Sequence, residues 1–343
     1  MHLTIREVHL PLRHPFTITH GTTTVQHNVI VELSDGTHTG YGEAATSRGY
    51  PHLSAPVISA ALESLRPVIE SARWDNPEDL WDQMLPHLYD DRFSLCAVDE
   101  AAHDLWGKRL GQPVWQLWGL SLEKVPCSDY TIGIDTTEVM IRKMQEFPNW
   151  PIYKIKLGTN HDVEIVRTLR EHTDAVFRID ANTAWTVEQT LEYAPALKEL
   201  GVEFLEQPLP RDDWEGMARL KRRCALPVIA DESCLIPEDV ARCAEFYDGV
   251  NIKLTKAGGQ TPGRRMALEA RRRGLKVMAG CMNESSIGIS AIGMLLPLLD
   301  YVDMDGSVLI AKDIAEGVWL DRGVPTFPDH PGNGVRLLPD SPE

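Results

Sequence analysis

From about Val125 onward, this chain repeats one unit: a short apolar or β-branched run, a polar turn, then an amphipathic stretch of about a dozen residues. The runs are Cys127–Ile134, Ile152–Leu157, Val176–Asp180, Phe204–Glu206, Val228–Ala230, Gly249–Leu254, Lys276–Ala279 and Tyr301–Met304. Between them lie helical patterns such as Val163–His172 and Val187–Leu200. Successive strands joined through helices lie parallel, and eight of them close on themselves. The fold class expected is α/β: a (β/α)8-type, modified TIM barrel over residues 125–320.

Residues 1–124 lack this repeat and read as an α+β domain that caps the barrel. His2–Leu10, Val29–Leu33 and Thr39–Tyr41 form an antiparallel meander, with Ser34-Asp35-Gly36 as a turn. A helical region follows, clearest over Ala97–Lys108. The Pro-rich tail cannot be a long helix, so residues 321–343 are expected to pack back on the cap.

Charge narrows the partners. With 50 acidic against 34 basic residues, the net charge is −16, which opposes binding to a phosphate backbone, so no nucleic-acid partner is expected. No membrane partner is expected either: the longest apolar stretch, around Ile287–Leu299, is short and broken by Gly and Pro. The first residues do not read as a signal peptide, and the six cysteines lack CxxC spacing, so reduced thiols in the cytoplasm are the expectation. GxSxG, GxGxxG and P-loop patterns are missing.

Barrel chemistry gathers at the C-terminal strand ends. Asp180, Glu206 and Asp231 each close a run, one strand-plus-helix unit apart. A single strand-end Asp is more often a helix cap, and Asp180 before Ala181-Asn182-Thr183 could be one. Three carboxylates in register repel one another unless a cation intervenes, and oxygen-only ligands favour a hard ion such as Mg²⁺. Lys154 and Lys156 alternate with apolar residues and share a side of the second strand, while Lys253 ends the sixth, across the barrel. A lysine with a pKa of about 10.4 is a poor base until nearby positive charge lowers it. Lysines on opposite sides suit removal of a proton from one face and its return to the other. Lys256, three residues on, is a weaker candidate for the same role or else a solvated loop charge. Asp303 and Asp305, around Met304 on the eighth strand, read as a receptor for an ammonium group or as partners for the lysines already named. His20 falls in an expected mobile loop over the barrel mouth, where it could touch substrate.

With these motifs, and with Gly40-Tyr41-Gly42-Glu43-Ala44 and Asp104-Leu105-Trp106-Gly107-Lys108 in the cap, the chain resembles the enolase superfamily, in the branch of muconate-lactonizing enzymes, o-succinylbenzoate synthases and dipeptide epimerases. A lysine base with Mg²⁺ is that superfamily's known pattern. The resemblance implies one Mg²⁺ per subunit on Asp180, Glu206 and Asp231, and Lys156 and Lys253 as the acid/base pair. It implies that Lys154 stabilises an enediolate, that Glu232 orients Lys253 by a hydrogen bond, and that Asn182 lies just behind the ligands. Asp303-Met304-Asp305 resembles the ammonium receptor of dipeptide epimerases, so the implied reaction inverts the C-terminal residue of an L,L-dipeptide by 1,1-proton transfer. A homo-oligomer is expected by analogy. The alternatives are a syn-dehydratase like o-succinylbenzoate synthase, a muconate cycloisomerase-like enzyme, and a non-catalytic barrel. Phe16–Asn28 contains His20 and His27 but no Arg or Lys, and Arg13 and Arg48 flank it, so both L-Ala-L-Glu and a dipeptide with an apolar second residue stay open.

Overall fold

The computed structural model describes residues 1–18 and 21–339. Three antiparallel strands open the chain: β1 (His2–Ile18), β2 (Gly21–Ser34) and β3 (Thr39–Ala45). Leu3 sits opposite Leu33 and Ile5 opposite Val31, so period-two alternation puts matched apolar side chains on one face. In the turn, Asp35 Oδ1 accepts the Thr37 and His38 amides at 2.9 and 2.8 Å while Gly36 takes φ +92°.

The first two strands run further than expected. Phe16 pairs with Thr23 and Ile18 with Gly21, so most of the expected loop over the barrel mouth is hairpin. Its Thr-rich sequence suits a half-exposed strand, and that polarity hid the pattern. His20 lies outside the described residues.

Helices α1 (Ala55–Ser71), α2 (Pro77–Met84) and α3 (Arg92–Leu110) follow. Asp91 caps α3 by accepting the Ser94 amide, and Gly111 ends it in the left-handed conformation. Nearly all of α3 is buried because it is sandwiched. On one side, a Cβ placed on Gly40 or Gly42 of β3 would lie 2.1 Å from Ala101 O or Ala97 O, so only glycine permits this approach. On the other, Asp99 accepts Thr261 N and Oγ1 of the barrel at 2.8 and 2.7 Å.

The eight parallel strands are β4 (Tyr130–Ile132), β5 (Ile152–Lys156), β6 (Val176–Asp180), β7 (Val202–Glu206), β8 (Val228–Ala230), β9 (Gly249–Ile252), β10 (Lys276–Gly280) and β11 (Tyr301–Asp303), hydrogen-bonded in chain order. Between β11 and β4 the ring closes through one backbone bridge, Ser128 to Val302. Register decides what meets at the strand ends: Lys156 pairs with Asp180, and Asp180 with Glu206.

Cap and barrel are joined by a buried carboxylate. Glu43 of β3 accepts Asn28 Nδ2 at 2.7 Å, Ser285 Oγ at 2.6 Å, and the amides of Ser285 and Gly288, where the helix Ser286–Gly293 begins. Beside it, Glu284 Oε1 accepts the Met282 amide at 2.8 Å. The tail forms a hairpin, Trp319–Asp321 with Val324–Thr326, and returns to the cap, where Asn333 N donates to Asp104 at 2.8 Å. Among the described residues no helix is long and apolar enough to cross a membrane.

Candidate active site

The barrel mouth and the cap enclose a cavity of about 420 Å³. Lys156 and Lys253 line it from the second and sixth barrel strands, Asn182 and Glu232 from the loops after β6 and β8, and Asp303 and Asp305 from the end of β11. Phe16, Ile18, Thr23, Arg48 and Tyr50 form the cap wall, with Arg48 Nε donating to Thr23 Oγ1 at 3.2 Å.

Beneath the cavity, charges interlock. Lys154 is fully buried, with Nζ 2.8 Å from both Glu206 Oε2 and Asp303 Oδ2 and 3.3 Å from Asp180 Oδ2. Burial opposes its charge, but Asp303, Glu206 and Asp180 outweigh burial and keep it protonated well beyond the usual lysine range. Lys156 Nζ donates to Asp180 Oδ2 at 2.6 Å. The other Asp180 oxygen accepts the Asn182 amide at 2.9 Å in a local turn, and Asp180 is not a helix cap, because Thr186 caps the helix Val187–Glu199 that follows. Asp231 receives Lys253 on Oδ2 at 2.9 Å and Lys256 on Oδ1 at 2.8 Å. Burial pushes the Asp231 carboxyl up, and these two ammonium groups overcome that and hold it well below the usual carboxylate range.

Three expectations need correction. Lys256 is not a solvated loop charge: the helix Leu254–Ala257 starts directly after Lys253, and one turn brings Lys256 back onto the same carboxylate. Among the described residues no hydrogen bond joins Glu232 to Lys253, because Asp231 takes the ammonium; Glu232 Oε2 is buried without a partner, and burial followed by the Asp231 charge raises its carboxyl to about 7. Lys253 does not end up lowered: burial and the Lys154 charge both act in that direction, but Asp231, with Glu206 and Asp180, outweighs them and the pKa lies above the ordinary value. The acid pair meets the second of its two readings in part, since Asp303 Oδ2 accepts Lys154 Nζ at 2.8 Å. Asp303 is held low by Lys154 against the effect of burial, whereas Asp305, raised to about 8 by burial and by Asp303, accepts the Thr131 amide at 2.6 Å.

Sequence reasoning passed over Asn251, whose Nδ2 donates to Glu206 Oε1 at 2.8 Å. The signal was available: Asn251 stands two residues before Lys253, on the same side of the strand. It also passed over Cys281, whose thiol points at Asp303 and Asp305. These three are the one described His/Cys/Asp/Glu group whose candidate ligand atoms all lie within 4.8 Å of one another. Asp180, Glu206 and Asp231 do not converge that tightly. Their carboxylates turn to the interleaved lysines, and Glu206 Oε2 and Asn182 Oδ1 are left buried without an aligned hydrogen bond.

The Mandelate racemase / muconate lactonizing enzyme N-terminal domain model matches residues 1–119, and the Enolase C-terminal domain-like model matches residues 139–341. The chain belongs to the enolase superfamily. Within it, the chain is 51% identical over 338 residues to the L-Ala-D/L-amino acid epimerase of Flavobacterium johnsoniae, covering 98% of this chain and 100% of that one. It is 37% identical to the L-Ala-D/L-Glu epimerase of Bacteroides thetaiotaomicron, with 98% and 88% covered. The dipeptide epimerase of Cytophaga hutchinsonii, solved with Mg and the dipeptide D-Ala-L-Val, superposes with a TM-score of 0.92 at 26% identity over 99% of this chain and 97% of that one. This enolase-superfamily barrel thus carries its charged strand ends in a setting shared with dipeptide epimerases.

Proposed function

We propose that this protein is a Mg²⁺-dependent dipeptide epimerase that inverts the α-carbon of the C-terminal residue of an L,L-dipeptide, with Lys156 and Lys253 exchanging the proton. The observation that carries this reading is the pair of cavity-lining lysines from opposite sides of the barrel, beside an acid pair on the last strand. Similarity to epimerases named for L-Ala dipeptides supports alanine as the first residue.

Asp180, Glu206 and Asp231 are the residues assigned to Mg²⁺. The fit rests on their oxygen-only donors, on Glu206 Oε2, whose close neighbour is the Lys154 ammonium at 2.8 Å without an aligned hydrogen bond, and on the buried Asn182 Oδ1, which has no hydrogen-bond partner among the described residues. Bound there, Mg²⁺ supplies Lewis acidity that lowers the pKa of the proton α to the substrate carboxylate. Asp303, kept ionised by Lys154, takes the substrate ammonium, and Thr131 holds Asp305 in place beside it. One lysine, neutral, takes the α-proton on its Nζ; the other, as ammonium, returns one to the opposite face. Lys154, permanently charged, stabilises the enediolate that forms between these steps. Phe16, Ile18 and Tyr50 keep bulk water from that anion. The amine-free substrate of a dehydratase would bring no ammonium group for Asp303 and Asp305 to receive, which disfavours that alternative. Six free cysteines support a reducing, cytoplasmic setting.

The test is incubation with L-Ala-L-X dipeptides and Mg²⁺ in D₂O. One deuterium at the α-carbon of the second residue, with inversion, is expected of the native protein, and no inversion of Lys253→Met. Native turnover by that variant would refute the two-lysine scheme.

A further inference from the structure

Directly after Glu206 stands Gln207, fully buried and held at φ +37°, a left-handed conformation that is costly for a residue with a side chain. A strained backbone persists where its surroundings fix it, and here they do. The Gln207 backbone amide donates to Ile229 O at 2.9 Å, and its carbonyl accepts Thr183 N at 2.8 Å. Its side-chain Oε1 accepts the backbone amides of Asp231 and Ser233 at 3.0 and 3.1 Å. Its Nε2 reaches Leu209 O at 3.0 Å, Ser233 Oγ at 3.0 Å and Tyr247 Oη at 3.1 Å.

One residue is therefore bonded to three strand-end segments, those bearing Asp180, Glu206 and Asp231. Past the strand ends the ladder no longer supplies partners, and the Gln207 amide supplies them in its place. We propose that Gln207 is a positioning residue that sets Asp231 in register with Glu206 and Asp180 for cation binding, and that Asp231 carries Lys253 with it. This inference rests on the assignment of those three carboxylates to Mg²⁺.

Gln207→Met keeps the length and removes both functions of the amide. Tyr247→Phe removes a hydroxyl from the same buried network without touching the Asp231 amide. Mg²⁺ affinity is measured by titration calorimetry without substrate, and stability by urea unfolding in chelator. Gln207→Met is expected to weaken Mg²⁺ binding about 10–100-fold. Tyr247→Phe is expected to lose stability while its Mg²⁺ affinity stays within about twofold, a split that general loosening would not produce. Gln207→Glu guards against a Met variant that fails to fold: it retains the accepting oxygen, so its affinity should stay within about threefold of native while its stability falls. Native Mg²⁺ affinity in Gln207→Met overturns the inference, as does equal weakening in Tyr247→Phe, or a Gln207→Glu protein that loses affinity in step with stability. A native protein that binds no Mg²⁺ would instead sink the metal assignment.

Discussion

Replacing Glu284 with Gln should remove a defined part of the protein's pH dependence. Glu284 is buried between cap and barrel; burial raises its carboxyl, the Glu43 charge adds to this, and the Met282 amide and Lys253 oppose it, leaving it at about 8 against an ordinary 4.5. Glu100 of α3 and Asp303 also face this region. A carboxyl raised in the folded state contributes stability fully below its unfolded pKa and loses it as pH climbs through the folded one. Between pH 5.5 and 7.5 the folded chain holds this proton and the unfolded chain has released it. Each unit then costs a factor of ten, and the interval costs roughly 2–3 kcal/mol. Gln keeps the oxygen that accepts the Met282 amide and does not titrate, so its penalty for an unpaired amide is the same at every pH. The assay is urea unfolding by tryptophan fluorescence across that range, in chelator. The native curve should fall more steeply than the Glu284→Gln curve by about one proton; parallel curves would refute the reasoning.

Two further outcomes are expected. Gly42→Ala would put a Cβ 2.1 Å from Ala97 O and 2.6 Å from Ala101 N, both backbone, forcing α3 off the sheet; a loss of about 3 kcal/mol in urea unfolding is expected. Because Asp303 is ionised and Asp305 holds its proton near neutrality, Asp303→Asn should raise KM for a dipeptide about 100-fold at pH 7 and Asp305→Asn about tenfold, so equal effects would contradict the charge assignment.

The barrel was legible because its signal is periodic. A strand's alternation and its last residue together decide which side chains reach the mouth, so Lys154, Lys156, Asp180, Glu206 and Asp231 could be placed before any contact was known. The hairpin arm was not, since the alternation of Phe16, Thr17 and Ile18 is too short to mark a strand and the returning Thr22-Thr23-Thr24 run has no apolar alternation at all. Glu232 and Lys256 stand beyond strand ends, where period two no longer applies; a short helix decides the direction of Lys256, and the competition of two ammonium groups for Asp231 decides what Glu232 does not touch. Gln207 was invisible for a related reason. Its contacts come from three separated segments, and nothing in Glu-Gln-Pro announces them.

The closure between β11 and β4 gives the ring a mechanical character. Every other junction is a ladder, whereas this one is a clasp: a backbone bridge, the Met304 amide on Ser128 Oγ at 3.0 Å, and the Thr131 amide on Asp305 Oδ2 at 2.6 Å. A hoop fastened this way slackens first at its clasp, and amide exchange there should outpace that of the ladders. Asp303 and Asp305 sit on that fastening. An occupant gripped by them would draw the two ends of the barrel together, and mild heat would loosen the grip on the ligand before it melted the fold.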